Sequence, residues 1–273
     1  MTGFAALAAV AMSAHAEVVS FPSLDATPIQ AHVFQPVRQP PRGTVVALHG
    51  CGGLYATAGS RKGEFSARHR GYAEMLTGDG YAVVFPDSLS PRGETQICTQ
   101  RPGTRTVTQA ERRADALAAL AWAAAQPWAR PDRVALLGWS NGGSAVLAAT
   151  DASRRDVRAQ PARPVLAIAF YPGCSVALQS GYQPNTTLVM LLGEMDDWSP
   201  PGPCIELGRS VDAQVHVYPD SHHGFDNPVG RVRLLKEVPN GANPGQGVHS
   251  GRNAEAARQS GALVRDLLRE AFR

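Results

Sequence analysis

The sequence predicts an α/β protein built on one mostly parallel β-sheet with helices on both faces. Three observations lead there. Short, continuous apolar runs recur along the chain, as in parallel strands buried on both sides. Segments with helical periodicity separate several of these runs. The later runs end in turns rich in glycine, aspartate and histidine, the residues expected where strand ends carry chemistry.

Taken in order, residues 18–34 alternate and break at Ser23-Leu24-Asp25-Ala26-Thr27-Pro28, which reads as an antiparallel hairpin. Residues 44–48 form the first continuous run and end in His49-Gly50-Cys51-Gly52-Gly53. Comparable runs occupy 81–85, 134–137, 165–170, 187–192 and 214–218. Residues 108–126 carry Leu117, Leu120 and Ala121 on one face, with Glu111, Arg112 and Arg113 near the start. Residues 253–272 place Ala256, Leu263, Leu267 and Phe272 at helical spacing. No repeat or linker interrupts the pattern.

The chain has 273 residues, enough for one domain with a full core and no metal staple. A hydrophobic fraction of 44% with 18% charged residues excludes a disordered chain. The net charge is only +3 and the arginines are scattered, which argues against a nucleic-acid partner. The first sixteen residues are apolar and small and end in Ala14-His15-Ala16, an A-x-A pattern. We read 1–16 as a signal peptide and 17–273 as a single domain, the alternative being a buried N-terminal helix. No later stretch reaches eighteen apolar residues, so no membrane span is expected. Four cysteines in an exported chain suggest two disulfides, and spacing alone leaves all three pairings open. No C-x-x-C pair calls for a metal.

The chemistry centres on Gly138-Trp139-Ser140-Asn141-Gly142, which follows an apolar run and precedes the helix-forming Ser144-Ala145-Val146-Leu147-Ala148. Strand, sharp turn and helix lift a serine hydroxyl above the sheet edge. Where a serine sits on such a turn, an acid and then a histidine follow in chain order. The run at 187–192 leads into Gly193-Glu194-Met195-Asp196-Asp197-Trp198. The run at 214–218 leads into Pro219-Asp220-Ser221-His222-His223-Gly224-Phe225. Asp196 is the expected orienting acid, with Asp197 facing solvent or capping a turn. His223 is the expected base, with His222 as fallback, because Gly224 lets the loop fold over the serine. The oxyanion donors are expected to be the N–H groups of Asn141 and Cys51, with Gly52 as second choice. His49 is read as a structural brace for its loop.

These segments resemble the dienelactone hydrolase family of α/β-hydrolases. The matching residues are His49-Gly50-Cys51-Gly52-Gly53-Leu54, Phe85-Pro86-Asp87-Ser88 with Pro91-Arg92-Gly93, the Gly138–Gly142 turn, Tyr171-Pro172-Gly173, the Gly193–Trp198 loop, and Tyr218-Pro219 with His223-Gly224-Phe225. The resemblance implies an α/β-hydrolase fold with a sheet of about eight strands and no large cap, a triad, and cleavage of esters or lactones. Placed on that fold, Cys51–Cys98 and Cys174–Cys204 are the expected bridges, each joining loops near the same sheet end. The family proper uses a cysteine nucleophile where this chain has Ser140, which shifts the expectation from dienelactones towards ordinary carboxylic esters.

Arg92 and Arg101 offer planar forks for a substrate carboxylate, or else face solvent. Tyr55, Trp139 and Trp198 are candidates for lining an acyl pocket, or else pack the core. The expected protein is thus a periplasmic or secreted serine esterase acting on a small-molecule ester or lactone, with no cofactor or metal. A non-catalytic binding protein, a peptidase and a polyester depolymerase on the same fold are the alternatives.

Overall fold

A computed structural model describes residues 16–57, 59–101 and 103–273. Residues 1–15 of the expected signal peptide lie outside the described residues, and Ala16 opens the first strand. The hairpin consists of β1 (Ala16–Pro22) and β2 (Pro28–Phe34). There follow β3 (Thr44–Leu48), α1 (Ala67–Gly78), β4 (Ala82–Asp87), α2 (Gln109–Ala124), β5 (Val134–Trp139), α3 (Asn141–Ala149) and α4 (Arg155–Arg158). The second half runs β6 (Leu166–Phe170), α5 (Ser175–Gln179), β7 (Thr187–Gly193), α6 (Gly202–Ser210), β8 (Gln214–Tyr218), β9 (Arg233–Leu235), β10 (Val248–Ser250) and α7 (Ala254–Ala271).

Eight strands form one sheet in the order β1-β2-β4-β3-β5-β6-β7-β8. The pairs β1–β2 and β2–β4 are antiparallel, and every pairing from β4 through β8 is parallel. Strands β3 to β7 are almost wholly buried, which explains why they read as unbroken apolar runs. Strand β8 is one of the sheet's two outer strands and is only partly covered.

Alternation within the strands sorts the core into two layers. Val46, Leu48, Leu136 and Met190 face α2, α3 and α6, where Leu117, Leu120, Val146 and Leu207 meet them. Val45, Ala47, Leu137 and Leu191 face α1 and α7, where Tyr72, Leu76, Val264 and Leu268 meet them. Both long helices begin at side-chain caps. Thr108 and Glu111 make a reciprocal capping box before α2, and Asn253 accepts the Glu255 and Ala256 N–H groups before α7.

The register decides where chemistry can assemble. Leu48 lies beside Gly138, Trp139 beside Phe170, and Gly193 beside Tyr218. The loops after β3, β5, β7 and β8 therefore leave the sheet along one edge. The longest excursion, between β8 and α7, folds into the small antiparallel pair β9–β10. Ser250 of β10 bridges to His223, so this ribbon leans on the same sheet edge. No large cap domain covers the edge among the described residues.

Candidate active site

Strand β5 ends at Trp139, and Ser140 turns out of it at φ 54°, in the left-handed region that ordinary residues avoid. The strain is held by close packing around the turn. A Cβ at Gly142 would collide with the Leu48 and His49 carbonyls, and one at Gly138 would collide with the Gly142 carbonyl. Both positions therefore admit only glycine.

The Ser140 hydroxyl lies 2.8 Å from His223 Nε2. His223 Nδ1 lies 2.8 Å from Asp196 Oδ2. The other Asp196 oxygen accepts the Trp198 and Ser199 N–H groups at 2.9 and 2.8 Å. Asp196 is thus fixed on three sides, and both it and His223 are buried. With Nδ1–H donating to the carboxylate, Nε2 is left as the acceptor of the serine proton. The imidazole lies against the rings of Tyr171 and Trp198, at centroid distances of 4.5 and 4.6 Å. Its backbone carbonyl accepts from Ser250 Oγ and Gly251 N–H. Gly224 adopts φ 73°, which lets the chain reverse immediately after His223.

The loop after β3 packs against the serine turn, with Gly50 close to the Trp139 carbonyl. Cys51 and Asn141 line the same cavity as Ser140, and Cys51 is disulfide-bonded to Cys98. Cys174 is disulfide-bonded to Cys204. His49 is wholly buried beneath this loop. Its Nδ1 lies 2.7 Å from the Gly50 carbonyl, so Nε2 is free to accept from Arg112 Nη1 at 2.7 Å. Burial and the neighbouring guanidinium push its pKa well below the ordinary histidine value, so it stays neutral. The arrangement makes it a brace between β3 and α2.

The cavity beside Ser140 has a volume of about 360 Å³. Trp198 lines it, as do Gln109, Leu147 and Val176, three residues with no local sequence signal. Three arginines also reach it. Arg113 pairs with Asp156 at 2.7 Å and Arg154 with Asp151 at 3.3 Å. Arg105 Nε is buried with no hydrogen-bond partner among the described residues, and burial alone lowers its pKa.

Several expected pocket residues lie elsewhere. Trp139 is fully buried and packs on Tyr72 at 4.7 Å. The Tyr55 hydroxyl bonds His32 Nε2 at 2.9 Å on the far side of the sheet from the cavity. Arg92 is also no substrate fork. It is clamped by Asp115 at 2.9 and 3.0 Å, by Asp25 at 2.7 Å and by the Ser88 carbonyl at 2.9 Å, which occupies both of its terminal nitrogens. Arg101 lies exposed on its loop. Asp197 is partly exposed, as expected of a residue facing solvent, and it also pairs with His249 at 2.7 Å. His222 stands next to His249, and it is His223 that meets the serine.

The sequence reading missed a buried support beneath His223. Tyr171 donates to Asp226 Oδ1 at 2.5 Å, and Arg68 pairs with Asp226 at 3.4 Å. Burial holds the Tyr171 phenol far above its ordinary pKa, so it remains a donor. The Tyr171-Pro172-Gly173 segment was visible in the sequence, but its partner Asp226 carries no local pattern.

A family model described as the dienelactone hydrolase family matches residues 29–272. No curated protein sequence matches the chain. Among solved structures, the chain is similar to a dienelactone hydrolase-like promiscuous phosphotriesterase from metagenomic libraries. The TM-score is 0.66 at 21% identity, covering 95% of this chain and 99% of that one. It is also similar to Thermogutta terrifontis esterase 2 phosphoramylated by tabun, with TM-score 0.63, 17% identity and coverages of 93% and 94%. A dienelactone hydrolase from Anabaena variabilis gives TM-score 0.65 at 16% identity, with coverages of 95% and 99%. At these identities the structural likeness is one of fold.

Proposed function

The chain belongs to the dienelactone hydrolase family, and from that premise we propose that it is a serine hydrolase cleaving small carboxylic esters or lactones through Ser140, His223 and Asp196. The observation that carries the reading is the unbroken hydrogen-bonded chain, Ser140 to His223 to Asp196, at 2.8 Å in each step.

Each residue has one task. A serine alcohol is a weak nucleophile at neutral pH, so His223 Nε2 takes its proton as Oγ attacks the carbonyl carbon. The Asp196 carboxylate orients the imidazole and stabilises its charged form. The N–H groups of Asn141 and Cys51 hold the developing oxyanion, each such donor being worth ~10²–10³ in rate. His223 then passes its proton to the leaving alcohol, and water, activated by the same imidazole, releases the acid from Ser140.

Serine in place of the family's cysteine favours ordinary esters over dienelactones. The cavity volume of about 360 Å³ supports a small substrate, and the uncompensated Arg105 supports one with an acceptor oxygen near α2. Two disulfides fit an oxidising compartment, which supports a periplasmic or secreted enzyme. No described helix is long and apolar enough to cross a membrane.

The test is hydrolysis of short p-nitrophenyl esters and simple lactones by the wild type and Ser140→Ala, with a fluorophosphonate probe in parallel. We expect turnover and covalent labelling in the wild type and loss of both in the variant. Equal rates in the two proteins would sink the assignment.

A further inference from the structure

Three side chains that take no part in the proposed hydrolysis converge next to it. Asp197 follows Asp196 on the loop after β7, His222 precedes His223 on the loop after β8, and His249 is the middle residue of β10. One carboxylate oxygen and two ring nitrogens, one atom from each residue, lie within 4.8 Å of one another. Asp197 Oδ2 meets His249 Nδ1 at 2.7 Å, and the His249 backbone N–H donates to Asp197 Oδ1 at 2.8 Å. The His222 and His249 rings are 5.2 Å apart. All three residues are partly exposed, so an ion can arrive from solvent.

Two imidazoles and one carboxylate are a donor set that borderline divalent cations take. Ligand atoms bonded at the usual zinc distances stand about 3.3 Å apart around a tetrahedral ion. The three ligand atoms already stand within 4.8 Å of one another, so a modest contraction of the cluster reaches that spacing. Two further features suit a ligand. His222 Nδ1 is buried without a hydrogen-bond partner among the described residues, a costly state that lacks an internal explanation. The proton shared between His249 and Asp197 is the one an arriving cation displaces.

We propose that Asp197, His222 and His249 form a binding site for one divalent transition cation of the zinc class, with its fourth position open to water. The site ties together three segments that also carry Asp196, His223 and Ser250. Ser250 Oγ donates to the His223 carbonyl, so an ion on His249 braces the loop that presents His223. The ion is a positioning element and touches no reacting atom. Its ligands come from two loops and strand β10, so no metal-binding spacing appears in the sequence. The proposal stands whether or not Ser140 is the nucleophile.

The experiment is titration of the chelator-treated full chain with Zn²⁺ by calorimetry and with Co²⁺ by visible absorption. The expected result is one ion per chain and Co²⁺ bands of tetrahedral intensity. Loss of an outer partner alone costs a metal site ~10–100-fold in affinity, so His249→Ala should weaken both titrations by at least that much. Asp197→Asn, which keeps the shape of the side chain, should also weaken binding, and it decides the matter if circular dichroism shows His249→Ala to be misfolded. No saturable binding by the wild type, or unchanged binding in a folded variant, overturns the site.

Discussion

Lowering the pH from 7 to 5 should destabilise the protein through two buried histidines that refuse a proton. His49 and His69 are both buried and both held neutral. Burial, with Arg68 close by, pushes the His69 pKa down from 6.5 to about 3, and burial with Arg112 pushes His49 well below 6.5. The sign follows directly. Below pH 6.5 the unfolded chain binds a proton at each imidazole that the folded chain refuses, so stability falls as pH falls. For His69 this continues until the pH approaches about 3. His69 costs about 0.2 kcal/mol at pH 7 and about 2 kcal/mol at pH 5, and His49 adds to the loss in the same sense. Partial burial lowers His32 and His216 in the same sense. The depressed carboxylates Asp25, Glu111 and Asp156 have ordinary values of 3.8 to 4.5 and lose their contribution only below the window.

His69→Phe isolates one of the two terms. The ring sits among Phe65, Phe85 and Trp139 at centroid distances of 5.5 to 5.6 Å, so phenylalanine suits its surroundings. His69 Nδ1 lies 2.8 Å from Ser66 Oγ and 3.1 Å from the Leu54 carbonyl; in the variant Ser66 Oγ still accepts the N–H of residue 69, and the carbonyl still accepts the Ser66 N–H at 2.9 Å. His69 Nε2 has no partner among the described residues, so nothing is orphaned there. Urea unfolding followed by tryptophan fluorescence at pH 7, 6 and 5 should show a loss between pH 7 and 5 that is about 2 kcal/mol smaller in the variant than in the wild type. Identical losses in the two proteins, or a wild type whose stability is flat over this range, would refute the argument.

Two further predictions concern the site and its frame. Arg92→Met leaves the wholly buried Asp115 with only Ser23 Oγ, at 2.6 Å, and should cost about 3–5 kcal/mol in urea unfolding with KM unchanged. A raised KM with intact stability would return Arg92 to substrate binding. Asp196→Asn keeps the shape of the loop but no longer fixes the imidazole tautomer, and kcat should fall about 10⁴-fold with little change in the folding midpoint. A loss below tenfold would remove Asp196 from the proposed triad.

The sheet was legible in the sequence because strands buried on both faces must be apolar almost throughout, and residues 45–48 and 188–192 are. The Gly138–Gly142 turn was legible because backbone crowding at Gly138 and Gly142 excludes any side chain. The meeting of Ser140, His223 and Asp196 follows from strand ends that a parallel register aligns. Contacts made by long side chains across loops left no such trace. Arg105 and Gln109 reach the cavity from the approach to α2, and Asp226 reaches Tyr171 across the sheet edge. His249 meets Asp197 only because β9 and β10 fold back over the edge. These depend on how loops pack, and neither periodicity nor turn chemistry encodes that packing.

Trp139, which the motif leaves between pocket lining and core packing, is placed by periodicity. Successive strand residues point to opposite faces. Residues 135, 137 and 139 therefore share a face, and Ala135, Leu137 and Trp139 all pack towards α1 and α7. The cavity opens on the other face, among side chains of α2, α3 and α5, where Leu147 and Ala177 join the opposite core layer. Tyr55 belongs with the Trp139 layer as well. A residue directly before a serine on such a turn is close to it in sequence yet is sent through the sheet by the alternation that puts the hydroxyl above the edge. The space beside Ser140 is shaped by side chains of α2, α3 and α5, and proximity to the serine in sequence does not place a residue in it.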